Sequence, residues 1–218
     1  GRLYGYMRNT ETMLFWSLIA IFSVTLGASF WGVVSEPLRA GIFHTISAIT
    51  TTGFTTVNVA GYESVMFLII ILMIIGGYAG STSGGLKLVR VGIIGKAFVW
   101  IGKKMFHPPE AVVPFKLGKN VIKDHEMSMV FLFVCVYLML LMFSGICMML
   151  LGYTPMDSFF TVSSAQGTVG LSTVNIALME WEAKLLLMAN MLMGRLEVFP
   201  ILVLLYAGYI SMFGKKTY

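Results

Sequence analysis

Charge is what this chain lacks most. Only 11% of its 218 residues are Asp, Glu, Lys or Arg, 57% are hydrophobic, and the mean hydropathy is +0.85. Soluble domains carry roughly a quarter charged residues, so a water-soluble globule is excluded and an integral membrane protein is expected. Cysteine is nearly absent. Cys135 and Cys147 share one apolar run and as helix residues would stand about 18 Å apart, too far to bridge each other, so they say nothing about redox compartment. Catalytic signatures are missing as well. There is no H-E-x-x-H, no G-x-S-x-G and no pair of intramembrane aspartates, which leaves an intramembrane enzyme without its machinery. The net charge of +5 comes without a basic stripe interleaved with aromatics, so nucleic acid is not an expected partner. Lys and Arg beside apolar spans follow the ordinary bias toward the cytoplasmic side. The chain starts at Gly1, with neither an initiator Met nor a signal-peptide pattern, and is expected to be a fragment of a longer protein, the alternative being that two copies assemble.

What is present is a repeated polar interruption of the apolar runs. Phe43 to Asn58 places threonines, a serine and one glycine between lipid-grade segments, and an offset of 117 residues lays Phe160 to Asn175 on it without a gap. Phe43, Ser47, Ala48, Thr51, Gly53, Thr56, Val57 and Asn58 recur as Phe160, Ser164, Ala165, Thr168, Gly170, Thr173, Val174 and Asn175, eight identities in sixteen positions and more than shared composition gives. Ion filters are rings of backbone carbonyls that replace a cation's hydration shell. Glycine lets such a strand take positive φ and come close to an axis. Thr50, Thr51, Thr52, Gly53 and Phe54, with Gly167, Thr168, Val169, Gly170 and Leu171, are therefore the candidate filter, in competition with an ordinary polar loop and its turn glycines.

The rest of the chain arranges itself around these segments. Met13–Val34 is expected to span, Leu38–Ile49 to form a short re-entrant helix, and the chain to descend again from Tyr62. Met127–Leu151, Pro155–Ala165 and Trp181–Met212 repeat the series of membrane helix, pore helix and membrane helix. The domains follow: residues 1–105 form one membrane–pore–membrane unit, 106–126 a cytoplasmic linker around His107-Pro108-Pro109, and 127–218 the second unit. Both run in the same direction, an all-α architecture with parallel pseudo-symmetry about the membrane normal. Basic residues crowd the proposed inside, placing the N-terminal end, the linker and the C-terminal end in the cytoplasm. A short helix aimed at a filter presents its partial negative end to it, which favours cations.

Gly76, Gly77, Gly80, Ser81, Thr82, Ser83, Gly84 and Gly85 fall in one ten-residue stretch, Gly76–Gly85, that cannot be a stable helix interior at about 1 kcal/mol per glycine. It is no phosphate loop, because Leu86 stands where the lysine belongs. A passive kink that lets helices approach and a mobile plug under the filter are both compatible, and the surplus of glycine and hydroxyls favours the plug. Arg195, charged inside a span, is a functional candidate by default. The same offset puts it at the depth of Tyr78, where its donors could hold loop carbonyls, against the alternative of a structural partner elsewhere; Glu197, two residues on, does not share its face. His44 reads as a hydrogen-bonding scaffold rather than a metal ligand. Asp157 and Glu36 at the outer mouth either concentrate cations or are solvated surface charge. The methionines are read as lipid-facing or packing residues.

Thr51-Thr-Gly-Phe-Thr, Gly77-Tyr-Ala-Gly-Ser-Thr-Ser-Gly-Gly-Leu-Lys, Val169-Gly-Leu-Ser-Thr and Gly194-Arg-Leu-Glu-Val-Phe-Pro together resemble the Trk/Ktr/HKT superfamily of potassium transporters, closest to the prokaryotic Trk membrane subunits. The resemblance implies K⁺ as the transported ion, with no covalently bound cofactor, and four membrane–pore–membrane repeats in one polypeptide, of which this chain is similar to the third and fourth. It also implies a missing N-terminal half, a homodimer, a cytosolic nucleotide-binding regulatory subunit, contact with membrane lipid, and a multi-pass place in the inner membrane of a prokaryote. By the same resemblance, residues 76–85 are the gating loop and Arg195 the arginine that faces it. A non-conducting scaffold or sensor that keeps the fold is the alternative.

Overall fold

The structure is a computed structural model that describes residues 10–106, 115–117, 120–121 and 124–196. Those residues form seven α-helices, one 3₁₀ turn and a minimal β-ladder: α1 (Thr10–Ser29), α2 (Pro37–Ile49), α3 (Glu63–Ile75), α4 (Leu88–Met105), β1 (Lys116–Leu117), β2 (Asn120–Val121), α5 (Asp124–Leu150), α6 (Pro155–Gln166), the 3₁₀ turn Ile176–Leu178, and α7 (Trp181–Leu196). Lys116 pairs with Val121 and Leu117 with Asn120, antiparallel, inside the stretch read from sequence as linker.

α1 and α5 are long and apolar enough to cross a bilayer, yet only 22% and 28% of their most apolar windows are buried. A soluble core helix would bury that surface, whereas a helix in lipid can leave it exposed. α1 stops at Ser29 rather than at Val34 because the Trp31 and Val33 amides bond to Ala28 and Phe30, tightening the chain into turns before Pro37 opens α2. α1 and α2 pack closely at glycine: a Cβ added to Gly41 would stand 2.4 Å from the Gly27 amide nitrogen, the small-residue approach common between membrane helices. α6 starts on Pro155 behind Thr154, whose hydroxyl caps the Asp157 amide at 3.3 Å.

Two apolar clusters hold the fold. One joins Leu26, Phe30, Ile49, Ile69, Leu72 and Met73 of the first half to Phe160, Val169 and Leu171 of the second. The other packs Tyr137, Leu141 and Met148 of α5 against Val162 and Ala165 of α6 and Leu187 of α7. α3 thus lies between the halves, which brings its broken end under both Thr-x-Gly segments. The expected continuation of the last span to Met212, like the His107-Pro108-Pro109 linker, Glu197, the Arg2 and Arg8 flank and the Lys215–Lys216 tail, lies outside the described residues.

Candidate functional site

α2 and α6 end in the same backbone motif. After α2, the Thr51 amide donates to the Ala48 carbonyl at 3.2 Å and the Thr52 amide to the Ser47 carbonyl at 2.9 Å. After α6, the Thr168 amide donates to Ala165 at 3.1 Å and the Val169 amide to Ser164 at 2.9 Å. This pair of bonds is the Schellman helix stop, in which the residue just past the C-cap turns left-handed. Glycine usually fills that position; here it is threonine, with φ of +55° at Thr51 and +54° at Thr168. A β-branched residue there is a genuine outlier, costs about 1–2 kcal/mol, and recurs at the same place twice. Two residues on, Gly53 and Gly170 have φ of +79° and +95°, and the chain runs back outward from each helix end.

The two segments meet. A Cβ on Gly53 would lie 2.1 Å from the Val169 carbonyl oxygen, so that oxygen is turned toward the first segment and only glycine permits the approach. The serines one turn before each helix end brace the strands in different ways. Ser47 donates to the Phe54 carbonyl at 2.7 Å, while Ser164 accepts from the Gly170 amide at 3.1 Å. The Phe54 oxygen is therefore tied back to α2. Thr50 and Thr52 share a hydroxyl–hydroxyl bond of 2.7 Å, and the Thr50 hydroxyl also donates to Ile46 at 2.6 Å. α6 runs one residue past the expected Ala165, to Gln166, whose Nε2 donates to the Tyr137 carbonyl at 2.9 Å.

Residues 76–87 form a closed loop. The Leu86, Lys87 and Leu88 amides donate to Ile74, Ile75 and Gly77 at 2.9–3.0 Å, so the chain returns to the end of α3 before α4 begins at Leu88. Gly84 abuts the second segment: its Cβ would stand 2.4 Å from the Gly167 oxygen and 2.8 Å from the Thr168 hydroxyl. Gly77 lies beside the Ile49 carbonyl, and a Cβ on Gly76 would collide with the Gly84 carbonyl oxygen. The loop is held from several sides. Glu11 of α1 accepts from the Ala79 amide at 2.8 Å, the Phe15 ring sits 5.2 Å from that of Tyr78, and Ser83 accepts from the Gly77 amide at 3.2 Å and contacts the Ser81 hydroxyl. Gly80 and Gly85 complete the turn, and the Thr82 carbonyl accepts from Nη1 of Arg195. One residue before that arginine, Gly194 passes so close to the Gln166 carbonyl that no Cβ would fit.

At the N-terminal ends of α2 and α6, Glu36, Arg39 and Asp157 have partners. Arg39 donates to Glu36 at 2.8 Å, and that hydrogen bond, with the carboxylate's charge, raises the guanidinium further above its ordinary value. The Glu36–Arg39 pair is solvent-exposed. Both carboxylate oxygens of Asp157 accept hydroxyl protons, from Thr154 at 2.7 Å and Thr173 at 2.6 Å. His44 is buried against Phe30 and Phe43, and among the described residues no group of three His, Cys, Asp or Glu could hold a metal. An open cleft of about 200 Å³ is lined by Thr55, Thr56, Val57, Asn58, Val59 and Ser172. Sequence reasoning missed the Glu11 contact and the Gln166–Tyr137 bond; the only signal for the second was a polar residue where the first copy has Ile49.

A lipid-facing helical bundle that brings two left-handed Thr-x-Gly turns together over a glycine-rich loop has the organisation of a membrane cation transport protein. The profile of the family described as TrkH, cation transport protein, matches residues 13–208, and the chain belongs to that family. It is 34% identical over 213 residues to the Trk system potassium uptake protein TrkH of Escherichia coli K12, covering 91% of this chain and 43% of that protein. It is 35% identical over 170 residues to an uncharacterised cation transporter of Methanocaldococcus jannaschii, covering 77% and 36%. Among solved structures, the potassium transporter TrkH of Vibrio parahaemolyticus superposes with a TM-score of 0.81 at 26% identity, over 92% of this chain and 45% of that one. The chain spans less than half the length of these relatives.

Proposed function

We propose that this chain forms two of the four walls of a potassium uptake pathway. The observation that carries the reading is the twinned helix stop: two short helices ending in the same strained Thr turn, with Val169 turning its carbonyl toward Gly53. Each helix brings a partial negative charge of about half an elementary unit to its C-terminus. A dehydrated K⁺ accepted by carbonyls of Thr50 to Gly53 and Gly167 to Leu171 would replace its water shell without losing favourable electrostatics. Phe54, its own oxygen held by Ser47, contributes strand position rather than a ligand. Potassium as the ion is supported by the names of the relatives.

Residues 76–85 act as the gate, closed while Arg195 holds the Thr82 carbonyl and its charge opposes a cation below the filter. The remaining walls are two further membrane–pore–membrane repeats of the same polypeptide, disposed about an axis along the membrane normal; residues 1–105 and 127–218 are the two repeats present, joined by a 106–126 linker. A homodimer in lipid, with cytosolic ends bound to a nucleotide-binding subunit, completes the proposal. The test is uptake of K⁺ against Na⁺ by the whole protein reconstituted in liposomes. The wild type is expected to prefer K⁺, and Arg195→Ala to raise flux by about tenfold, the loss of roughly one charge-assisted bond from the closed state. Flux unchanged in a correctly inserted Arg195→Ala protein would remove the gate assignment, and a wild type without K⁺ preference would remove the function.

A further inference from the structure

We propose that Asp157 is a positioning residue for ion selectivity: it clips the outer end of the second Thr-x-Gly strand to its own short helix through Thr173. The inference rests on the filter reading above. α6 runs inward from Pro155, the strand returns outward from Gly167, and Thr173 arrives back beside the first turn of the helix, where its hydroxyl donates to Oδ1 of Asp157 at 2.6 Å. The other oxygen is taken by Thr154 at 2.7 Å, while the Asp157 amide donates to the Thr154 hydroxyl at 3.3 Å. The carboxylate is therefore fixed at both oxygens, and its charge is favourable at a helix N-terminus. A hairpin held at its inner end by the helix stop and at its outer end by this clip cannot widen along the stretch that carries the ligands.

The first copy has the same threonine and lacks the clip. Thr56 corresponds to Thr173, but Ala40 corresponds to Asp157 and offers no acceptor. Ala40 is 4% exposed, packed in the core where α1 meets α2, so a carboxylate would not be tolerated there. The outer end of the first strand borders the open cleft instead. The first wall is thus tied back only as far as Phe54, through Ser47, and the second as far as Thr173. Size discrimination between K⁺ and Na⁺ falls to the clipped wall, because a strand free to shift by a few tenths of an ångström can close around the smaller ion.

Thr173→Val and Asp157→Ala, singly and together, are made in the whole protein, reconstituted at equal amounts in liposomes, and read as K⁺ over Na⁺ permeability. Each single variant is expected to lower the ratio by about tenfold, the effect of one hydrogen bond to a charged group, and the double variant to match Asp157→Ala, since both substitutions break the same Thr173–Asp157 bond. Thr173→Ser, which keeps the hydroxyl, is expected to restore the ratio, a rescue that a general packing role for the threonine methyl would not give. If Asp157→Ala alone changes transport, through a salt-sensitive fall in flux at constant selectivity, while Thr173→Val behaves as wild type, the carboxylate acts by attracting cations and the clip is overturned. A selective wild type with equally selective variants overturns the clip and leaves the function standing. A wild type that does not discriminate overturns both.

Discussion

The two halves of this chain agree where the backbone turns at the ends of the two short helices and diverge in the segments that follow. At the inner ends of α2 and α6 the bonds, the left-handed threonines and the glycine two residues later correspond one for one. The chain also approaches each stop at equivalent positions, Gly77 of the loop beside Ile49 and Gly194 of α7 beside Gln166. Beneath that level they part. α3 breaks at Gly76 into a closed loop, while α7 runs unbroken through the corresponding Met193 to Leu196 and presents Arg195 where the loop presents Tyr78. The difference teaches that the backbone turn is the constrained element. The structure below it was free to become a loop in one half and that loop's anchor in the other.

The sharpest way to break the correspondence is at the two glycines. Gly53 and Gly170 share positive φ, so alanine strains either by about 1–2 kcal/mol. Their surroundings differ: a Cβ on Gly53 would meet the Val169 oxygen at 2.1 Å, whereas at Gly170 nothing lies within 4 Å. Gly53→Ala is therefore expected to abolish selective K⁺ uptake by pushing the segments apart. Gly170→Ala is expected to keep measurable uptake with reduced selectivity. Liposome flux at matched protein amounts distinguishes them, and equal loss in both variants would mean that φ alone, not the approach of the strands, sets the requirement.

A smaller effect is expected at the strained threonines, where glycine is the residue the helix stop ordinarily selects. Thr51→Gly and Thr168→Gly relieve about 1–2 kcal/mol of left-handed strain and lose roughly 0.5–1 kcal/mol through the freedom of the unfolded chain. Each should leave thermal stability unchanged or raise it slightly. Selectivity should nonetheless fall, because the side chain that fixes the turn is gone. Lower stability with intact selectivity would show that the threonines are there for packing.

Much of this was legible in the sequence because it depends on spacing. The 117-residue offset gave the twin segments, the glycines and the depth of Arg195, and composition gave the membrane. What the sequence did not disclose depends on which groups meet across the fold. Asp157 looked like a cation-attracting or solvated charge, and its partner Thr173 lies sixteen residues away, brought back only by the hairpin. Glu36 is paired with Arg39. Glu11 reaches Ala79 from 68 residues off, a contact with no local signature. Boundaries were no more legible: α4 begins only at Leu88 because Leu86 and Lys87 bond back to α3, and α5 begins at Asp124, ahead of the expected Met127 and inside the expected linker.

The smallest expected effect tests how the halves pack rather than how they conduct. Where the first half has Gly27 close to Gly41, the offset puts Ser144 and Ser158 in the second, and Met73 corresponds to Asn190. In the second half the contact is polar and joins different helices. The Asn190 amide nitrogen donates to Ser144 at 2.9 Å, and the Ser144 hydroxyl can donate to the Asn190 oxygen at 3.1 Å, both buried between α5 and α7; the same nitrogen also donates to the Leu186 carbonyl at 2.8 Å within α7. Such bonds between membrane helices average about 0.6 kcal/mol and reach about 1.7. Ser144→Ala leaves the Leu186 bond intact, so it should lower unfolding stability by about 0.6 kcal/mol, read by thermal unfolding in lipid discs, with transport unchanged. A loss several times larger would mean that α7, and with it the guanidinium on the loop, is positioned by this pair. The packing difference between the halves would then belong to the gate.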